Sequence, residues 1–386
     1  MKRIFAVVAF LLCSQVAWAA TAVEKWVDTD CEFNGDGTQG DCAKSDGATG
    51  PYRTLLQAIN GESAIRSDLV ASDETLTIML QGIAADTNAP IYFNNTLFNT
   101  DSTHQVRMKG AETPTGRHEG VWSTSKYRLS AASGGAGCTQ DGVLTIGENN
   151  VLVDDFQIEQ TGSVEAGCAN GVNLSLFNGS FTNVYANGML LINNPAGTPQ
   201  VTTHGLYMTY LNGGRTVYVA NNIATGFAQA GLFIGCNAND SITVYNNTSY
   251  GNTYGLRLWR GTLCNIGTTI HMKNNLLQGN TTDYSYPATG GGSPAFDRTA
   301  NVTSDATSPD GASFQNRVAS FVDAAGLDFH LQRNDTAATN ICVSLATDAT
   351  YAFVRDYEYS TRTTRWDCGA DEQPERFKLP LLGIEW

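Results

Sequence analysis

The sequence predicts an all-β solenoid in which short strands stack coil upon coil. Three observations carry that prediction. An Asn-Asn pair recurs at near-constant spacing, apolar residues alternate with polar ones on either side of each pair, and the composition is rich in Gly, Asn and Thr with only 16% charged residues. The pairs begin at Asn221, Asn246 and Asn274, 25 and then 28 residues apart. They sit in "VYVANNIATGFAQAGLFI" (217–234), "ITVYNNTSYGNTYGLRL" (242–258) and "IHMKNNLLQGN" (270–280). Each copy reads as an apolar-x-apolar strand, the pair, a short apolar or Thr step, Gly or Asn, and, in the first two, Gly-apolar-x-apolar. Looser copies lie upstream in "VLTIGENNVLVDDFQI" (143–158), "NGVNLSLFNGSFTNVYANGMLLINN" (170–194) and "HGLYMTYLN" (204–212). A repeat of this length marks a unit that cannot bury its apolar face alone and does so by stacking. Asn tolerates left-handed backbone, so it suits a sharp corner between strands. Stacked side-chain amides can also bond to one another along the axis.

The N-terminus begins Met1-Lys2-Arg3, runs apolar from Ile4 to Cys13 and reaches Ala17-Trp18-Ala19. This pattern reads as a secretory signal peptide over residues 1–19, and the apolar run is too short to span a bilayer. Nothing later in the sequence has the length of a membrane span. The expected location is therefore secreted, periplasmic or at the cell surface. Beyond Cys13, eight cysteines remain: Cys31, Cys42, Cys138, Cys168, Cys236, Cys264, Cys342 and Cys368. An even number in an exported chain suggests disulfides, and the absence of a CxxC pair disfavours a zinc ribbon or redox dithiol. Sequence does not fix connectivity; pairing of sequential neighbours is the expectation. The chain carries 23 Lys and Arg against 37 Asp and Glu, a formal net charge of −14. That balance argues against nucleic acid as a partner. It leaves room for a local cationic cleft or a bound calcium ion.

The stretch "KWVDTDCEFNGDGTQGDCAKSDGATGPYRTLLQAI" (25–59), the coils, and "LDFHL" with "VRDYEYSTRTTRWDCGADE" near the C-terminus together resemble the right-handed parallel β-helix family, the pectate-lyase-like superfamily. The resemblance spans most of the chain on loose motifs. It implies a single-domain parallel β-helix whose open N-terminal end is closed by a short helix, here 54–60 with Thr54 as N-cap. The implied organisation is a cap region over 20–75 and the β-helix with its closing segment over 76–386. Within it, 138–285 are the clearest coils, and the Gly/Ser/Thr/Pro-rich 286–312 reads as a long loop. "NDTAATNICVSL" (334–345) departs from the family's usual closing pattern, which leaves the last coil undefined.

Strand alternation then nominates surface residues. In "GLRLWRG", Leu256 and Leu258 point in while Arg257 and Trp259 point out. Phe233 and Tyr207 point out in the matching strands, so Tyr207, Phe233 and Trp259 are expected to form an exposed ring column beside Arg257. Flat rings with adjacent polar groups suit sugars, so a polysaccharide is the expected partner, unless a flanking loop covers the rings. Polysaccharide lyases of the fold that the chain resembles use a basic residue to abstract a proton next to a carboxylate, with calcium or arginine neutralising the charge. Arg257, His271 and Lys273 are the candidate catalytic residues, yet no lyase signature accompanies them. A glycoside hydrolase would need paired carboxylates, and none stands out in the clear coils. The alternative is a non-catalytic, adhesin-like or structural solenoid. "DTDCEFNGDGTQGD" (28–41) is carboxylate-rich but lacks the spacing of a calcium loop, and reads better as a turn pinned between Cys31 and Cys42.

Overall fold

A computed structural model describes residues 20–42, 49–94, 97–132, 142–162, 169–174, 183–194, 203–208, 213–261, 263–286, 293–362 and 365–373. From Glu74–Gln81 to Thr282–Ser285, successive coils visit three parallel sheets in the same order. The first strand of a coil is exemplified by Thr216–Ala220, its second by Ile223–Thr225 and its third by Ala230–Cys236. Among the described residues the first sheet has nine strands, the second eight and the third seven. Neighbouring strands in each are parallel and come from successive coils. Parallel neighbours joined through a crossover take the right-handed path that twisted strands favour. The molecule is thus a right-handed parallel β-helix, as the spacing of the Asn pairs predicts.

The two residues of each Asn pair do different jobs. The first takes left-handed backbone, with φ of 54° at Asn221, 51° at Asn246 and 60° at Asn274, and so turns the corner from first to second sheet. Asp155, Gly188 and Ala300 hold the same conformation at φ of 62°, 63° and 59°. The second residue points inward and builds a buried amide ladder. Asn222 Nδ2 donates to Asn247 Oδ1 at 3.0 Å, Asn247 to Asn275 at 2.9 Å, and Asn275 to Asn301 at 2.7 Å. The backbone N–H of each of these residues donates to the same acceptor, so each carbonyl oxygen takes two bonds. Phe156 and Met189, each directly after a residue with the same left-handed backbone, stand at this position in earlier coils, so the ladder begins where an apolar plug ends. At its far end Asp310 accepts from Asn301 Nδ2 at 2.7 Å, satisfying the last donor. A second ladder, at the corner into the third sheet, has the same plan: Phe227, then Asn252 and Asn280, then Asp283. Buried polar groups are tolerated only when bonded, and both ladders end on a carboxylate that completes them.

A row of glycines marks that second corner. A Cβ on Gly231 would lie 2.1 Å from Ser249 Oγ, and one on Gly255 2.5 Å from the Asp283 carbonyl oxygen. Only hydrogen fits there. Leu76, Ile78, Val153, Leu206, Val219, Leu232, Ile242, Leu256 and Leu277 are among the residues that fill the cylinder.

The N-terminal end closes as expected, with a longer helix. It runs Leu55–Arg66, extending past the predicted span, and Thr54 accepts from Gln57 N at 3.2 Å. Asp86 accepts from Leu55 N at 2.7 Å, tying the helix start to the coils. Leu55, Ala58 and Ile59 cover the open core. Ahead of it, Thr21–Asp28 pairs with Glu74–Gln81 and begins the first sheet. Residues 286–312 are not a plain loop. Ala295–Thr299 adds a strand to the first sheet and Val302–Thr303 one to the second, forming a further coil. Asn301 stands 26 residues after Asn275, in register with the repeat, but a single Asn preceded by Ala300 hides it in the sequence.

The C-terminal segment straps the solenoid. A hairpin of Phe321–Asp323 and Asp328–Leu331, with Trp366, packs on Leu190, Ile223, Leu276 and Val302 of the second sheet. The strap also docks on the first Asn of each pair. Asn274 Nδ2 donates to Val343 O at 2.7 Å and its Oδ1 accepts Val343 N at 3.1 Å; Asn246 Nδ2 donates to Gly369 O at 3.2 Å. Three of the expected disulfides are present: Cys31–Cys42, Cys236–Cys264 and Cys342–Cys368. The expected Cys138–Cys168 pair and the signal segment lie outside the described residues.

Candidate functional site

The outer face of the third sheet gathers most of the nominated rings. Strands 203–208, 230–236 and 254–260 stack so that Tyr207 faces Phe233 and Phe233 faces Arg257. Trp259 faces Gly235, so it is not the next member of the Tyr207–Phe233 column; Arg257 is. The matching dipeptides Gly205-Leu206, Gly231-Leu232 and Gly255-Leu256 carry that register in the sequence. The rings still touch. Tyr207 and Phe233 stack at 4.9 Å, and Trp259 lies diagonally at 6.4 Å from Phe233. Contrary to the expected exposed column, Tyr207 and Phe233 are only 7% and 8% exposed; Trp259 and Tyr254 are half-buried.

Arg257 sits in the middle of this group. Its guanidinium carbon is 4.6 Å from the Tyr254 ring centroid, 5.1 Å from Trp259 and 6.0 Å from Phe233. One terminal nitrogen donates to Gln229 Oε1 at 3.3 Å, while Nε is buried without a partner among the described residues. Among the described residues it forms no salt bridge. His204 lies against Phe233 at 4.9 Å. Burial, assisted by the charge of Arg257, pushes its imidazole down to about 3, so it is neutral at physiological pH. Next to the patch, Arg260 lies 4.8 Å from the Tyr286 ring, and Tyr286 meets edge to face Phe296 of the first-sheet strand Ala295–Thr299. His204, Gln229 and Tyr254 are not among the residues that strand parity nominates; their Gly-Leu register with the nominated residues is the available signal.

The other two catalytic candidates are elsewhere. His271 and Lys273 belong to Thr269–Lys273 of the first sheet, whereas Arg257 belongs to the third. The structure brings His271 and Lys273 together on Asp297, at 3.0 and 2.7 Å. Lys273 also meets Asp348 of the strap at 2.8 Å. Burial opposes its charge, yet the two carboxylates hold the ammonium above its ordinary value. Tyr185 and Tyr218 stack at 4.4 Å on the same face and are met by Tyr351 of the strap.

A carboxylate pair does exist, in an early coil. Asp154 bonds Arg107, and Asp155 accepts from the Tyr359 hydroxyl of the strap. Burial first, and the neighbouring Asp154 charge second, push Asp155 well above the ordinary carboxylate range. Both acids are buried; Asp155 holds the strap, while Asp154 accepts from Arg107 and Asn187 of neighbouring first-sheet strands. His330, Glu358 and Asp371 form the one compact His/carboxylate group found among the described residues, with ligand atoms within 4.8 Å of one another. Its histidine is bonded on both nitrogens, to Glu358 at 3.1 Å and Asp328 at 2.6 Å. Those bonds push it up to about 9. In 28–41 the carboxylates turn to local donors: Asp36 Oδ1 accepts from Thr38 N at 3.1 Å and Gly50 N at 3.1 Å, and Asp30 from Ala84 N at 3.0 Å.

Fold and faces together define a parallel β-helix protein with one strapped flank and one aromatic, arginine-bearing flank. No family model and no curated protein matches the sequence. Among solved structures the chain is similar to the crystal structure of pectate lyase Pel9A, with 11% identity, a TM-score of 0.28, and coverage of 93% of this chain and 98% of that one. No helix among the described residues is long and apolar enough to cross a membrane.

Proposed function

We propose that this chain is an exported glycan-binding protein that takes an acidic polysaccharide along the outer face of its third sheet. One observation carries the reading. In a chain of net charge −14, Arg257 is held among three aromatic rings and forms no salt bridge among the described residues. A guanidinium oriented this way presents a fork that matches a carboxylate, and Trp259 and Tyr254 offer half-buried ring faces for the sugar. The disulfides fit an oxidising compartment and support export. The test is binding to matched uronate-containing and neutral glycans. Arg257→Ala is expected to weaken uronate binding by about tenfold or more, the scale of one charge-assisted bond. Trp259→Ala should weaken both classes. Unchanged binding in both variants would remove the reading's support.

Cleavage is the second reading. It would fall to Arg257 alone on this face, or to Lys273 with His271 on the other, because the three do not share one. Among the described residues Arg257 has no carboxylate partner, which favours it as the group that neutralises a substrate acid rather than as a base. New unsaturated ends absorbing in the ultraviolet would establish lyase activity; new reducing ends alone would indicate hydrolysis. Neither product would leave a binding solenoid.

A further inference from the structure

A separate cavity of about 500 Å³ opens where the chain after the N-terminal helix meets the early coils. Asp68, Asn99, Thr100, Glu148 and Asn149 contribute to its wall, and no Lys, Arg or His lines it among the described residues. Its oxygens are already arranged. Asn99 Nδ2 donates to Asp68 Oδ1 at 2.8 Å, and the Thr100 hydroxyl donates to the Asn149 carbonyl at 3.0 Å. Glu148 comes directly after the strand Gly142–Gly147 and is only 3% exposed. The backbone N–H groups of Leu97 and Phe98 support its carboxyl, but Oε2 is buried and meets no hydrogen-bond partner among the described residues. Burial pushes the group up to about 8.

That arrangement is unfavourable in either protonation state. Among the described residues, an ionised Glu148 is a buried charge without a counterion, and a protonated one is a donor without an acceptor at Oε2. The ladder corners of this molecule show the alternative, since each terminal carboxylate there is bonded to the amide it closes. A cation at Oε2 relieves both defects. The surrounding donors are hard oxygens: two carboxyls, side-chain amides, a hydroxyl and backbone carbonyls. The cavity is larger than a bare ion and leaves room for its retained waters or for a short organic group.

We propose that this cavity binds a small hard cation through oxygen ligands, with Glu148 as its buried anionic contact and Asp68 as the second acid. Cation and proton compete for the same carboxyl, so binding releases a proton and weakens as pH falls. The proposal is independent of the glycan reading, since cavity and Arg257 patch share no residue.

The experiment is calorimetric titration of the full chain with calcium chloride in one arm and methylammonium chloride in the other, at pH 9 and pH 6.5, in two buffers of different ionisation enthalpy. Saturable one-site binding is expected in one arm, tighter at pH 9 by roughly tenfold or more, with proton release at the lower pH. Which arm saturates identifies a divalent metal or an ammonium group as the source. Glu148→Gln, which keeps size and removes the charge, should abolish binding without changing the melting temperature by more than a few degrees, and Asp68→Asn should weaken it. Absence of saturation in both arms at pH 9 overturns the proposal, as does binding by Glu148→Gln equal to that of the unaltered chain. If Glu148→Gln does not fold, Asp68→Asn decides: binding equal to that of the unaltered chain overturns the proposal.

Discussion

The outer faces of the first and third sheets carry the same kinds of residue and meet opposite fates. On the first, Lys273 meets Asp297 and Asp348, Arg107 meets Asp154, and Tyr185 and Tyr218 lie against Tyr351. On the third, Arg257 has rings and one weak amide contact but no carboxylate among the described residues. The difference has two sources: Asp154 and Asp297 lie on the first sheet's own strands, and the strap adds Asp348 and Tyr351 to that face, so its charges become structural. A basic side chain on a β-helix therefore says little about function until its counterions are known; the unpaired one is the informative one.

The contrast can be broken most directly at Arg362. Its side chain is buried, donates to Glu372 at 3.0 Å and Asn221 at 3.3 Å, and reaches the carbonyls of Asp367, Gly369, Ala370 and Asp371. Arg362→Ala strands Glu372 and these carbonyls together, at an expected cost of about 3–5 kcal/mol. Urea denaturation should show it, along with faster hydrogen exchange across 340–373. Removing the Cys342–Cys368 disulfide with paired serines should cost about 2–4 kcal/mol and loosen the same segment.

The strap should also respond to pH. Burial pushes Asp356 and Glu372 up to about 7 and Asp371 up to about 6. A carboxyl with a raised folded-state value contributes stability that is complete below its unfolded value and is lost as pH rises through the folded one. His330, held at about 9 by Glu358 and then Asp328, loses its contribution as pH rises through that value. Both effects have the same sign between pH 6 and 9, so the melting temperature and strap protection should fall across that interval. A melting temperature that rises from pH 6 to pH 9 would contradict this account.

The smallest stability effects make the sharpest comparison. Lys273→Met removes a two-carboxylate contact on the strapped face and is expected to cost roughly 1 kcal/mol. Arg257→Met keeps an unbranched stem against the rings and should cost less than about 1 kcal/mol. If glycan recognition belongs to the third sheet, the first variant binds glycan normally and the second does not.

Much of this molecule is readable in one dimension because its rules are local or periodic. The left-handed corners at Asn221, Asn246 and Asn274 need only the conformational tolerance of Asn. Inward and outward residues alternate with strand parity, and the Thr54 cap reaches only three residues along the chain, to Gln57 N. The Cys236–Cys264 link spans 28 residues, the length of one coil. Register is less visible. Parity alone misaligns the aromatic column by two positions at Trp259, although the Gly-Leu pairs correct it. The coil after Asn275 escapes the pattern because only Asn301 survives of its pair.

What the sequence determined by itself, then, is the winding: a recurring corner residue and alternating strands require stacked coils whatever else the chain does. What tertiary structure alone decided is which face stays available. Lys273 finds Asp348 across 75 residues, and Asp155 finds Tyr359 across 204. No periodic signal encodes such meetings. They depend on where the C-terminal strap lies once the coils have formed, and on the desolvation that makes each buried charge take whatever partner the strap delivers.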